Sequence, residues 1–187
     1  GTGGDVAYSL VVTSDGGYAI AGYTESFGAG DADFWLIKTD AYGNVEWNQT
    51  YGGSQYEYAR SLVETSDGGF ALAGYVIPSG AGQDFYVVKT DVDGNMQWNK
   101  TYGGEHTDIA YSLVETSDGG YAIAGHSGWM FQDFLLIKID ADGNMMWNRT
   151  YGGHDSDFAY SLVETSDGGY ALAGESSSFD GLWLVKT

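Results

Sequence analysis

The chain has 187 residues, of which 43% are hydrophobic and 16% aromatic, enough to bury a real core, and seven Lys plus Arg against 26 Asp plus Glu give a formal net charge of −19. That balance argues against nucleic acid, whose binding rests on Lys and Arg neutralising phosphates, and leaves cations, polar neutral ligands or plain solvation. With no cysteine there is neither a disulfide framework nor a thiolate metal site; no apolar run approaches the roughly 20 residues of a membrane helix, and no charged-then-apolar segment opens the chain.

Reading from the N-terminus, "VTSDGGYAIAG" begins at Val12, and nearly the same words return as "ETSDGGFALAG" from Glu64, "ETSDGGYAIAG" from Glu115 and "ETSDGGYALAG" from Glu164. Ser9, Ser61, Ser112 and Ser161 fall into register, a period of about 50 residues, in the range of propeller blades. Each unit divides into short apolar runs, in the third "AYSLVETS", "YAIAG", "DFLLIKID" and "NMMWNRTY", bounded by Asp-Gly turns that mark strands in hairpins. No helical pattern is visible. Small residues in "YALAG" suit a strand squeezed between neighbouring sheets, and "FLLI" suits a sheet covered on both faces. The expected fold is all-β, a propeller-like array of four antiparallel blade units at about residues 5–53, 54–104, 105–153 and 154–187. The first three units have four strands. The last stops at "LWLVKT", before a strand like those carrying Trp47, Trp98 and Trp147, so the array is read as having an open edge or as an excerpt of a longer one.

The pattern DGGYxxAG, a variable loop and DxWLxKxDxxGNxxW resembles the repeat of secreted and surface-anchored β-propeller proteins of archaea and bacteria, over the whole chain. The resemblance implies an extracellular or cell-surface location. The hairpin from Asp91 through Gly94 to Trp98 is similar to that of quinoprotein propellers, but nothing matches their cofactor and calcium site, and no cofactor is expected. Tryptophan-aspartate repeats find no match, and Arg60 and Arg149 cannot supply the arginine cluster of sialidase-like propellers.

Residues present in every unit are explained by the unit. Lys38, Lys89, Lys138 and Lys186, the glutamates Glu64, Glu115 and Glu164 (with Val12 in the fourth place) and the three tryptophans therefore read as structural. Function is sought where the units differ, in the second-to-third-strand loops and the links between units, which share one face. That face carries Tyr23, Glu25, Phe27 and Asp31; Tyr56, Glu57 and Tyr58; Trp129, Met130 and Phe131; and Asp155, Asp157, Glu175, Phe179 and Asp180. Aromatic planes beside carboxylates suit sugars, so Tyr23, Phe27, Tyr56, Tyr58, Trp129, Phe131, Asp155 and Phe179 are candidate ligand contacts. His106, His126 and His154, with acids nearby, are candidate ligands for a transition metal. The turns "DVDGN" and "DADGN" resemble the start of a calcium loop, but no glutamate follows at the required spacing, and they read as hairpin turns.

Asn48, Asn99 and Asn148 each open an Asn-X-Thr acceptor at one repeat position on an outermost strand, candidate glycosylation sites in a secreted protein. Carboxylates are abundant, but nothing selects a catalytic pair. The sequence thus points to a non-enzymatic extracellular or surface module for structure or protein contact. A carbohydrate-binding propeller and a glycoside hydrolase-like enzyme are the alternatives. The expected partners are other copies or further repeats, then surface proteins or glycans. Self-assembly is expected through the edge Leu182, Trp183, Leu184, Val185 and Lys186, whose unpaired backbone groups offer a template.

Overall fold

The computed structural model describes residues 2–79, 82–179 and 181–187, and no helix occurs among them. The first sheet is β1 (Asp5–Val12), β2 (Tyr18–Thr24), β3 (Asp33–Thr39) and β4 (Val45–Tyr51). The second is β5 (Tyr56–Glu64), β6 (Phe70–Ile77), β7 (Asp84–Thr90) and β8 (Met96–Tyr102). The third is β9 (Thr107–Glu115), β10 (Tyr121–Gly128), β11 (Gln132–Ile139) and β12 (Met145–Tyr151). The last sheet has three strands, β13 (Asp157–Glu164), β14 (Tyr170–Ser176) and β15 (Gly181–Lys186). Within each sheet all pairings are antiparallel between sequence neighbours, and an isolated parallel bridge joins Ala32 to Tyr56, so the all-β reading and the strand count of each unit hold.

The repeated words are explained by local geometry. In the SDGG turn the first glycine is left-handed, with φ of 87° at Gly16 and 80–82° at Gly68, Gly119 and Gly168, a region costly for a residue with a Cβ. The second is needed for close approach. A Cβ on Gly69 would lie 2.1 Å from the Thr90 carbonyl oxygen and 2.8 Å from Lys89 Nζ. The lysine threads beside that glycine to hold the turn: Lys89 Nζ donates to Asp67 Oδ2 at 2.9 Å and to the Thr90 carbonyl at 2.7 Å, and Lys38, Lys138 and Lys186 repeat the arrangement.

The "AG" of the second strand has a different cause. A bulge in the first strand, between Ala59 and Ser61 in the second unit, drives the Tyr58 carbonyl oxygen to within 1.9 Å of where a Cβ on Gly74 would stand. Gly22, Gly125 and Gly174 meet the same obstruction.

The core lies in three seams between consecutive sheets. At the first, Ala19, Ala21, Phe34 and Leu36 pack against Ala59, Leu62, Phe70, Leu72 and Val88, all buried. Repeat-equivalent residues fill the second and third seams. Trp47 crosses to Phe70 with ring centroids 5.8 Å apart, Trp98 to Tyr121 at 6.0 Å and Trp147 to Tyr170 at 5.8 Å, so each tryptophan caps the seam with the next sheet. First strands lie side by side in sequence, β1 on β5, β5 on β9 and β9 on β13.

Candidate functional site

In every sheet the second-to-third-strand loop and the incoming link lie at one end, and the SDGG and DGN turns at the other. The DGN turns are closed hairpins. Asp40 Oδ1 accepts from the Tyr42 and Asn44 amides while Asn44 Nδ2 donates to Oδ2, and Asp91 and Asp140 are bound in the same way by their own turns. These carboxylates are occupied in shaping the turn.

The aromatic candidates fall into several groups. Tyr23 meets Tyr58 edge-on at 4.6 Å, Tyr56 stacks on Tyr58 at 6.4 Å, and Tyr8 and Tyr75 extend the group. Phe27 packs on Trp35, Trp129 stacks on His106 at 6.4 Å, and Phe179 lies on Trp183 at 4.9 Å. Trp129 is 80% exposed, and Met130 and Phe131 beside it are open as well. Asp155 is exposed, its amide donating to Ser178 Oγ. Asp180 lies outside the described residues.

Arg60 belongs to the tyrosine group and was not singled out in the sequence as a site residue. Its guanidinium carbon sits 4.0 Å from the Tyr8 ring centroid, its Nη2 donates to Tyr75 Oη at 3.4 Å, and no carboxylate pairs with it among the described residues. It stands at the bulge position shared with Tyr8, Tyr111 and Tyr160, and a bulge re-aims its side chain. The sequence signal was the position between Ala and Ser in "YARSL".

The histidines do not converge. His106 is exposed against Trp129, His154 is exposed in the last link, and His126 is buried between Tyr111 and Phe158. Burial pushes the His126 imidazole down to about 4, so it is neutral at pH 7. Among the described residues no group of three or more His, Asp or Glu side chains is placed to hold a metal.

What the sequence concealed is a set of carboxylate pairs at the link end of each seam: Asp33 with Glu57, Asp84 with Asp108, and Asp133 with Asp157. A Cβ on Gly52 would stand 2.2 Å from Asp33 Oδ1 and 2.6 Å from Glu57 Oε2, and one on Gly103 1.9 Å from Asp84 Oδ1 and 2.9 Å from Asp108 Oδ2. The first glycine of the Gly-Gly link therefore makes room for both carboxylates, while Gly53 and Gly104, the second, have nothing near a would-be Cβ. Burial, then the neighbouring Asp108, raises the Asp84 carboxyl; burial, then Asp157, raises Asp133; burial also raises Asp108, and Glu57 is raised by burial and by Asp33.

The repeated glutamates are clasps between units. Glu64 accepts from the amide and hydroxyl of Ser14 one unit earlier, both at 2.8 Å; Glu115 holds Ser66 and Glu164 holds Ser117 in the same way. Asn48, Asn99 and Asn148 are exposed on the outermost strands β4, β8 and β12. On β15, Leu182 is 87% and Leu184 63% exposed, Lys186 is exposed but paired with Asp167, and Val185 is half-buried. Trp183 is half-buried, lying between Phe134 at 4.7 Å and Phe179 at 4.9 Å, contacts that repeat those of Phe34 with Tyr86 and of Phe27 with Trp35 in the units that have an outer strand.

No family model matches the chain. The regulatory protein FlaEY of Caulobacter vibrioides is 28% identical over 136 residues, covering 64% of this chain and 14% of that protein. Among solved structures, a hypothetical protein from Leishmania major is similar with a TM-score of 0.47 at 12% identity, over 95% of this chain and 65% of that one. A eukaryotic initiation factor gives a TM-score of 0.43 at 7% identity, over 96% of this chain and 55% of that one. The chain spans less than two thirds of each of these proteins.

Proposed function

We propose that the chain is a propeller-type repeat module of a secreted or cell-surface protein, akin to the archaeal and bacterial surface propellers its repeat resembles, and that it works by protein contact without chemistry of its own. Sheets laid side by side along their first strands, each running outward in chain order, support the propeller arrangement. The outward-facing sequons and the −19 charge support the surface location.

The observation that carries the contact reading is the apolar surface left open at the two ends of the sheet stack, Leu10 on β1 at 59% exposure and Leu184 on β15 at 63%. Radical footprinting in the native setting tests it: Leu10, Leu182 and Leu184 should be protected there and oxidised in the dilute isolated chain. Equal oxidation in both settings removes the contact reading. Glycan binding is the second reading, favoured by the exposed Trp129 stacked on His106. A glycan-array signal abolished by Trp129→Ala would select it.

A further inference from the structure

The first strands lie side by side, so the residue at the bulge of each joins a row along the edge where they meet: Tyr8, Arg60, Tyr111 and Tyr160. The other units place a tyrosine there, so the fold itself does not ask for an arginine. Arg60 has partners, but they are phenols. Its guanidinium carbon lies 4.0 Å over the Tyr8 ring, Nη2 donates to Tyr75 Oη at 3.4 Å, and Nε is buried without an acceptor. In a chain with 26 Asp plus Glu, no carboxylate among the described residues pairs with it. A half-buried cation without a counter-charge costs stability. The row holds a second unfilled place. Tyr111 lies 5.5 Å from the His126 ring and 5.2 Å from the Tyr160 ring, and burial and then Tyr160 raise its hydroxyl while the Arg60 charge opposes the rise, which makes Arg60 a neighbour as well. His126 is 4% exposed, and its Nδ1 has no partner. Arg60 and Tyr111 are only half-buried, so the row is open to a solute. Arg60, Tyr75, Tyr111 and His126 belong to the second and third sheets, each flanked on both sides by other sheets of this chain.

We propose that this row is a binding site for a carboxylate carried on a flat ring, Arg60 taking the carboxylate and the tyrosines the ring. The proposal does not rest on the contact reading above. A guanidinium presents paired N–H groups that match the two oxygens of a carboxylate, and Nε is the donor here left without an acceptor. The 3.4 Å bond to Tyr75 is long and yields readily to a charged acceptor. Tyrosine rings cover the faces of other rings, and the neutral His126 has a nitrogen to offer a polar substituent. The net charge of −19 opposes anions at long range, but salt screens it beyond about 8 Å, and at contact distance the guanidinium decides. Aromatic acids and uronic acids share this chemistry and differ in the ring laid on the tyrosines.

The arginines make the test specific, because Arg149, the other one, is exposed on β12 and serves as the reference. In proton–nitrogen correlation spectra of the whole chain, titration with sodium benzoate or sodium glucuronate should shift the Arg60 Nε–H signal and the Tyr111 amide saturably and leave the Arg149 signal in place. Benzyl alcohol and methyl glucoside, similar rings without the carboxylate, should bind at least about ten-fold more weakly. A response to benzoate alone assigns an aromatic acid, a response to glucuronate alone an acidic sugar, and a response to both a site that reads the carboxylate above the ring. Arg60→Tyr installs the residue of the other units, so it should fold with the wild-type far-ultraviolet spectrum while its Tyr111 amide no longer answers either acid. Arg60→Lys keeps the charge without the fork and should bind about ten-fold more weakly than wild type. A saturable shift with neither acid, equal shifts at Arg60 and Arg149, neutral analogues as effective as the acids, or binding unchanged in Arg60→Tyr would each overturn the proposal.

Discussion

The two glycines of each SDGG turn do different work. Gly119 has φ of 82° and nothing near its missing Cβ, so Gly119→Ala should cost only the left-handed backbone term, about 1–2 kcal/mol. A Cβ on Gly120 would stand 2.3 Å from the Ile139 carbonyl oxygen and 2.5 Å from Lys138 Nζ, so Gly120→Ala must displace backbone and lysine together and should cost more, about 3 kcal/mol or above. Urea denaturation of the two variants checks the order, and equal losses would refute the close-approach account. Titration offers a second test at this scale. Glu57, Asp84, Asp108 and Asp133 have raised pKa values in the fold, so their contribution is fully present below the ordinary carboxylate range and is lost as pH rises through the raised values. The turn aspartates behave oppositely. Thr116, Lys138 and the Gly120 amide hold Asp118 down to about 2, a contribution lost as pH falls from 3.8. The midpoint of thermal unfolding should therefore rise as pH is lowered through the raised carboxyl values and fall again below 3.8. Replacing both Asp84 and Asp108 with Asn should flatten the upper limb.

At the scale of the element, the seam is the unit of cooperativity, because each sheet covers its neighbour and is tied to it by a glutamate clasp beside other bonds such as that from the Tyr102 hydroxyl to the Gly143 carbonyl. Glu115→Ala removes the clasp on Ser66 and should cost about 1 kcal/mol, its partners being solvent-accessible. Hydrogen exchange at the Ser66 amide should quicken while the equivalent Ser14 and Ser117 amides keep their rates. Uniform quickening would mean that the clasp acts globally. Much of this level was legible in sequence. The short apolar runs and the turns between them marked the strands, and "SDGG" with a recurrent lysine marked a structural turn. What was not legible depends on contacts about 50 residues apart: Glu115 and Ser66 are 49 positions apart, and no local pattern reveals that they meet. Asp84 and Asp108 are likewise invisible as a pair until two sheets are stacked. Arg60 was noted only as one of two arginines. Its setting among tyrosines arises from a bulge, a slip of one residue that a period-two reading overlooks. The histidine group failed for the opposite reason, since shared membership of a face does not bring side chains to one point.

For the whole molecule, the seams matter more than the loops. Three of them are built from equivalent parts, and the variable loops dispersed the aromatic candidates rather than gathering them into a single pocket. Truncating the exposed Trp129 and Phe131 to Ala should therefore leave the free energy of unfolding within about 0.5 kcal/mol of wild type. A larger loss would show that this loop supports the stack.

Val12 interrupts the series of latches. Each interior junction carries a carboxylate latch, whereas the first unit offers Ser14 to its successor but no carboxylate to a predecessor. One valine in the place of a glutamate thus leaves the first unit without the anchor that each later unit sends back to its neighbour, and the loss is a single side chain rather than a changed backbone.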